Sequence, residues 1–126
     1  MQTDGISHLS GEPRYENAHC AAAYQRFDIT PLGVYAFLKI EPKDAYFDRE
    51  GEWALTDEKG APVFGAKEGQ IDELYEIYGQ YDEAGRRSIC CDFQWYGAGE
   101  DDLPDTVSLT WMPDDGESVL FPVRVR

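Results

Sequence analysis

The closing stretch, Thr106 to Arg126, constrains the fold more tightly than any other part of the chain. Val107, Leu109 and Trp111 alternate with Ser108 and Thr110. After Pro113-Asp114-Asp115-Gly116, Val119, Phe121, Val123 and Val125 alternate with Leu120, Pro122, Arg124 and Arg126. Strand side chains point to opposite faces with period two, so each run can bury one face and wet most of the other. An Asp-Gly pair between two such runs signals a hairpin, because Gly takes the positive φ that a tight connection needs. Val107, Leu109 and Trp111 are therefore expected to share a core with Val119, Phe121, Val123 and Val125. Pro122 has no N–H to give a ladder, which places its strand at a sheet edge or a bulge.

The same periodicity recurs upstream. Ala21 to Thr30 reads as a strand anchored by Tyr24, Phe27 and Ile29, and Pro31-Leu32-Gly33 as a turn. Val34, Ala36, Leu38 and Ile40 alternate with Tyr35, Phe37 and Lys39 up to Pro42, and the partly apolar second set suits a strand that is covered on both faces or sits centrally. A charged connection containing Tyr46 and Phe47 leads to a short strand, Glu52 to Thr56, with Trp53 and Leu55 on one face. Asp57 to Gly60 reads as a turn, and Pro62 to Ala66 as the returning strand. Ile71, Leu74, Tyr75 and Tyr78 fit a helical spacing, yet the tyrosine density fits a strand. The loop signal Asp82-Glu83-Ala84-Gly85 favours a strand from Leu74 to Tyr81, paired with Arg87 to Tyr96. Gly97 to Asp105 is an acidic, glycine-rich loop. Seven or eight short strands at regular spacing predict an all-β antiparallel sandwich, formed by residues 21–126. Residues 1–20 read as a polar lead-in or linker.

The 126 residues suit one domain, and a hydrophobic fraction of 42% can build a core. The net charge of −14 repels phosphate backbones, so no nucleic-acid partner is expected. No apolar run is long enough to cross a membrane. Met1 to Ser10 has neither a basic nor an apolar signal region, which fits a cytoplasmic protein or a piece of a longer chain with its own targeting. Three cysteines leave at least one thiol unpaired. Cys90 and Cys91 are strand neighbours whose side chains diverge, while Cys20 could pair with either.

No catalytic constellation stands out, and no cofactor is implied. His8 and His19 fall in the lead-in, and His19 with Cys20 is too few ligands for zinc. Cys90 and Cys91 have no His base near in sequence. Calcium takes six to eight oxygens, so Asp101, Asp102 and Asp105 in one loop and Asp114, Asp115 and Glu117 in another are weak calcium candidates. Asp in turns is equally explained by its local hydrogen bonds. Trp53, Trp95 and Trp111 fall on buried-looking faces. Tyr75, Tyr78, Tyr81 and Tyr96 cannot all be buried, and exposed tyrosines suit contact with a protein or a glycan.

The phrases Phe27-Asp28-Ile29-Thr30-Pro31-Leu32-Gly33-Val34-Tyr35, Leu55-Thr56-Asp57-Glu58-Lys59-Gly60 and Gly79-Gln80-Tyr81-Asp82 carry a likeness. Over Ala21 to Arg126 the chain resembles the C-terminal immunoglobulin-like domain of uncharacterised, anti-sigma-factor-like membrane proteins of Gram-positive bacteria. That resemblance implies an immunoglobulin-like sandwich outside the membrane, anchored through a span absent from this chain, and no catalytic residues. The expectation is a non-enzymatic sensor or regulatory module that binds another protein or a cell-envelope ligand. Two alternatives stay open: an intracellular acidic interaction protein, such as an immunity protein or nucleic-acid mimic, and a calcium-stabilised binding module.

Overall fold

The computed structural model describes residues 6–7, 14–67 and 69–125. Their strands are β1 (Ile6–Ser7), β2 (Arg14–Glu16), β3 (Cys20–Thr30), β4 (Gly33–Pro42), β5 (Gly51–Thr56), β6 (Asp72–Tyr81), β7 (Arg87–Tyr96), β8 (Thr106–Pro113) and β9 (Val119–Arg124). The larger sheet runs β1-β3-β4-β7-β6, and the smaller runs β5-β8-β9. All pairings are antiparallel. β1 pairs with Asp28 and Ile29, and β2 pairs with Ala21 to Ala23, so both lie along the same outer edge of β3. The sheet is thus five strands wide, with one edge strand in two pieces. The orders β3-β4-β7-β6 and β5-β8-β9 are the ABED and CFG orders of a constant-type immunoglobulin domain. The expected immunoglobulin-like sandwich is what the chain forms. β1 and β2 are added on its flank, within the stretch read from sequence as a lead-in. His8 lies outside the described residues.

The core follows from strand periodicity with one correction. On β3, Cys20, Ala22 and Tyr24 are buried, and then Phe27 and Ile29. A register shift against β4 between Tyr24 and Arg26 inserts the extra residue that returns Phe27 to the inner face. β4 contributes Val34, Ala36, Leu38 and Ile40, and β7 contributes Ile89, Cys91, Phe93 and Trp95. The facing sheet supplies Leu55, Val107, Leu109, Phe121 and Val123. Tyr24 ties the two sheets together. Its hydroxyl donates to the Phe121 carbonyl at 2.6 Å and accepts from the Leu109 N–H at 3.2 Å. Tyr15 on β2 makes a second tie, donating to the Pro122 carbonyl and packing edge-on against Tyr24 and Phe121.

Pro122 does sit on an edge, since β9 pairs with β8 alone. The β8–β9 connection spans Asp114 to Ser118, with Gly116 at φ +148°. A Cβ on Gly116 would lie 2.7 Å from the Tyr46 hydroxyl, which itself donates to the Glu117 carbonyl at 2.5 Å. Two expectations need correction. Pro62 to Ala66 is not a strand: only an isolated bridge joins Pro62 to Thr56, and a 3-10 turn follows at Gly65–Lys67. Pro62 cannot extend a ladder, and the next strand, β6, belongs to the opposite sheet, so the chain must leave β5 at this point. Phe64 then packs on Trp95 with ring centroids 5.8 Å apart. Nor can Cys20 pair with Cys90 or Cys91. β4 lies between β3 and β7, which separates them by two strand spacings, about 9.5 Å, beyond disulfide reach. All three are free and buried.

Candidate functional site

Every one of the ten residues of β6 is exposed. The cause is the unequal width of the two sheets. Three strands cannot cover five, and β6 is the outermost strand of the wider sheet. Leu74, Tyr75 and Tyr81 are exposed by 57%, 63% and 68%, and Ile77 and Tyr78 by 40% and 39%. Scattered apolar surface is ordinary, but five large exposed apolar side chains on one strand, three on its inner face and two on its outer face, are a concentration that suits a contact surface.

The register fixes which groups of β6 are free. Asp82 N–H bonds the Arg86 carbonyl, and Gly97 N–H bonds the Leu32 carbonyl. In an antiparallel ladder, hydrogen-bonded pairs alternate with non-bonded ones. Both bonds therefore give the same result along β6 and β7: even-numbered residues of β6 bond to β7, and odd-numbered residues of β7 bond to β4. The N–H and C=O groups of Glu73, Tyr75, Ile77, Gly79 and Tyr81 point to the open edge. Among the described residues no strand pairs with that edge. An edge with unpaired groups in this arrangement is a template for another strand.

The other edges are blunted. β9 and β5 have six residues each, β9 carries Pro122 and Arg124, and the remaining edge is split into strands of two and three residues. β6 has neither Pro, Lys nor Arg along its length. Three acids, Asp72, Glu73 and Glu76, are its only charges.

Its two faces differ. Tyr75, Ile77 and Tyr81 share the inner face with Phe93 and Trp95, and Tyr75 stacks on Phe93 with centroids 5.3 Å apart. Tyr75 and Ile77 form an exposed apolar shelf beside the buried Phe93 and Trp95, with Tyr81 beyond Gly79, where the Arg87 side chain lies. At the shelf's end lies a recess of about 340 Å3 lined by Leu55, Pro62, Phe64, Ile71, Glu73 and Trp95. Trp95 Nε1 donates to the Glu73 carboxylate at 2.7 Å, which holds that acid at the recess mouth. Leu74, Glu76, Tyr78 and Gln80 occupy the outer face. There Glu76 stands directly opposite Asp92. The Tyr78 hydroxyl has a raised pKa, first through desolvation, then through Cys90 beside it and the Asp92 and Glu76 carboxylates.

Of the tyrosines singled out in the sequence, Tyr75, Tyr78 and Tyr81 lie on β6 itself. Tyr96 lies at the end of β7, half-buried on the outer face, with its hydroxyl on Gln94 and its ring edge-on to Tyr35. The set is divided between two faces: Tyr75 and Tyr81 inward, Tyr78 and Tyr96 outward.

The acidic candidates are not brought together. Asp101, Asp102 and Asp105 lie before β8, and Asp114, Asp115 and Glu117 after it. An eight-residue strand separates the groups by about 25 Å. Asp102 is held by Lys67 at 2.5 Å and by the Gly99 N–H at 2.8 Å, and the Lys67 ammonium leads in keeping its pKa below the ordinary carboxylate value. Among the described residues no group of three or more His, Cys, Asp or Glu could hold a metal ion. His19 stacks on Tyr46 with centroids 4.0 Å apart, and its Nδ1 lies 2.7 Å from the Asp44 carboxylate, whose pKa it lowers. Cys91 is buried, and desolvation pushes its thiol pKa far up, which disfavours a thiolate. The feature that sequence reading missed is the open edge. Tyrosine density on β6 was visible, but which strand lies outermost depends on topology.

Compared with family models, with curated proteins and with solved structures, the chain has no match.

Proposed function

We propose that this chain is a non-enzymatic binding module that captures an extended segment of another protein along the open edge of β6. The observation that carries this reading is the ten-residue edge strand with outward N–H and C=O groups at alternate positions beside an apolar shelf. Strand addition draws affinity from main-chain hydrogen bonds and specificity from the pockets that receive alternate side chains. The shelf of Tyr75 and Ile77 and the recess beside Trp95 supply such sites. The resemblance to anti-sigma-factor-like membrane proteins supports a setting outside the membrane, as the sensor or regulatory part of a membrane-anchored protein. Protease accessibility of the natural full-length protein on intact cells tests that setting, and protection of this domain until the cells are lysed would refute it.

Selection from a displayed library of random peptides, counter-screened on Ile77→Pro, tests the binding mode. The Ile77 N–H points to the open edge, so proline there blocks an incoming strand while leaving the β6–β7 ladder intact. Selected peptides should bind the parent chain and lose binding to Ile77→Pro, with the circular dichroism of the variant unchanged. Peptides that bind both equally would show that β6 is not the site.

A further inference from the structure

Resting on that reading, we infer that the strand accepted by β6 is basic on one face: an extended peptide in which Lys or Arg alternates with apolar residues. The inference comes from the charge arrangement on the outer face. Phe37, Asp92 and Glu76 form one row across β4, β7 and β6, ending at the open edge. Two carboxylates directly opposite each other repel, and such pairs destabilise a sheet. Among the described residues neither Asp92 nor Glu76 has an ion-pair partner. Lys39, one row away on β4, is joined to neither. Five acids elsewhere are ion-paired: Glu16 with Lys43, Asp28 with Arg26, Asp48 with Arg87, Asp82 with Arg86 and Asp102 with Lys67. Among the described strand pairings, Glu76 with Asp92 is the one that sets two acids opposite each other, and it borders the unpaired edge.

An added strand would supply what the row lacks. Glu76 bonds to β7 through its own backbone, so towards an antiparallel newcomer it takes the non-hydrogen-bonded position. Opposite Cα atoms are closest there, about 4.5 Å apart. A Lys or Arg at that position meets Glu76 directly and, on a long side chain, Asp92 behind it. The residues before and after it turn to the inner face and rest on Tyr75 and Ile77, which favours apolar side chains. One face therefore selects charge and the other selects hydrophobicity.

A second copy of this chain does not meet the requirement. In two-fold antiparallel pairing the outward-bonding residues must face each other. Glu76 then meets Asp72, Leu74, another Glu76, Tyr78 or Gln80, according to register. None is basic, and each copy brings a net charge of −14. The acids on β6 thus act against self-pairing while favouring a basic partner, as charged edge residues do elsewhere.

The test uses capped peptides of about eight residues, the length of one ordinary strand, in three compositions: alternating Lys-Val, Gln-Val and Glu-Val. Affinity is measured by titration calorimetry on the parent chain, on Ile77→Pro and on the double variant Glu76→Gln with Asp92→Asn. The Lys-Val peptide should bind about tenfold more tightly than Gln-Val, and Glu-Val more weakly than either. In the double variant the gap between Lys-Val and Gln-Val should close. Ile77→Pro should remove binding of both. Equal affinities for Lys-Val and Gln-Val would overturn the charge inference, as would a preference unchanged in the double variant. Either result leaves strand capture at β6 standing, provided Ile77→Pro still abolishes binding. Lys-Val binding that survives Ile77→Pro would overturn both. A dimer in light scattering that Ile77→Pro dissociates would overturn the inference in favour of a second copy.

Discussion

Replacing Tyr24 by Phe removes a single oxygen atom from the middle of the sandwich, and the structure sets the size of the loss. The side chain is 2% exposed. Its hydroxyl gives one hydrogen bond to Phe121 and takes one from Leu109, and those residues are register partners on β9 and β8. Without it, a buried donor and a buried acceptor lose a partner, while the aromatic packing against Phe27 and Tyr15 is kept. An unsatisfied buried polar group costs about 1–3 kcal/mol, but Leu109 and Phe121 share the hydrogen-bonding parity of Asp105 and Val125 in the β8–β9 ladder, so neither group is left without any partner. The expected cost is about 1–2 kcal/mol, which for a chain of this length lowers Tm by roughly 4–8 °C. Urea unfolding followed by tryptophan fluorescence measures it, and the slope should not change. Tyr35→Phe is the control. Tyr35 sits on the outer face with its ring under Arg26 at 4.7 Å, so losing its hydroxyl should stay within about 0.5 kcal/mol. Equal stabilities of the two variants would refute the claim that Tyr24 bridges the sheets.

Two other perturbations follow from the same geometry. Gly33→Ala places a Cβ 2.4 Å from the Trp95 carbonyl, so β4 and β7 must separate locally, and a loss of about 1–3 kcal/mol is expected in the same unfolding assay. Burial pushes the Tyr15 hydroxyl up to about 12 from the ordinary 10.0. Its folded pKa is raised, so its contribution to stability is complete below about pH 10 and is lost as pH rises towards 12. Tyrosinate absorbance should show a late-titrating component, to which Tyr24 and Tyr78 also contribute, and Tyr15→Phe should reduce it by one group. A titration unchanged by Tyr15→Phe would contradict the burial.

How far the sequence shows this fold differs from strand to strand. Pro122 limits β9 to an edge or a bulge because it has no N–H for a ladder, and the strand order makes it an edge. The alternation on β4, β7 and β8 was visible because both neighbours of each strand reinforce it. β3 was harder: the spacing from Tyr24 to Phe27 breaks period two, and only the register shift against β4 explains it. Pro62 to Ala66 looked like a hairpin partner from local turn chemistry, yet the connection has to reach the other sheet. The candidate site shows the same division. Tyr75, Tyr78 and Tyr81 were visible as a dense set. Their distribution over two faces follows from period two, but the opposition of Glu76 to Asp92 depends on pairing across the 82–86 loop, and the openness of β6 depends on the order of all the strands. Asp101, Asp102 and Asp105 were grouped with Asp114, Asp115 and Glu117 as acidic loops, although the length of β8 holds the two groups apart.

The claim that β6 is an open recognition edge is tested most directly by amide hydrogen exchange read residue by residue. In the free chain, the amides of Leu74, Glu76, Tyr78 and Gln80 should be protected by β7, and those of Tyr75, Ile77 and Gly79 should exchange quickly. On addition of the Lys-Val peptide, those three should become protected while the rest of the molecule is unchanged. Slow exchange at Tyr75, Ile77 and Gly79 in the free chain, or protection that appears elsewhere when the peptide binds, would contradict the account.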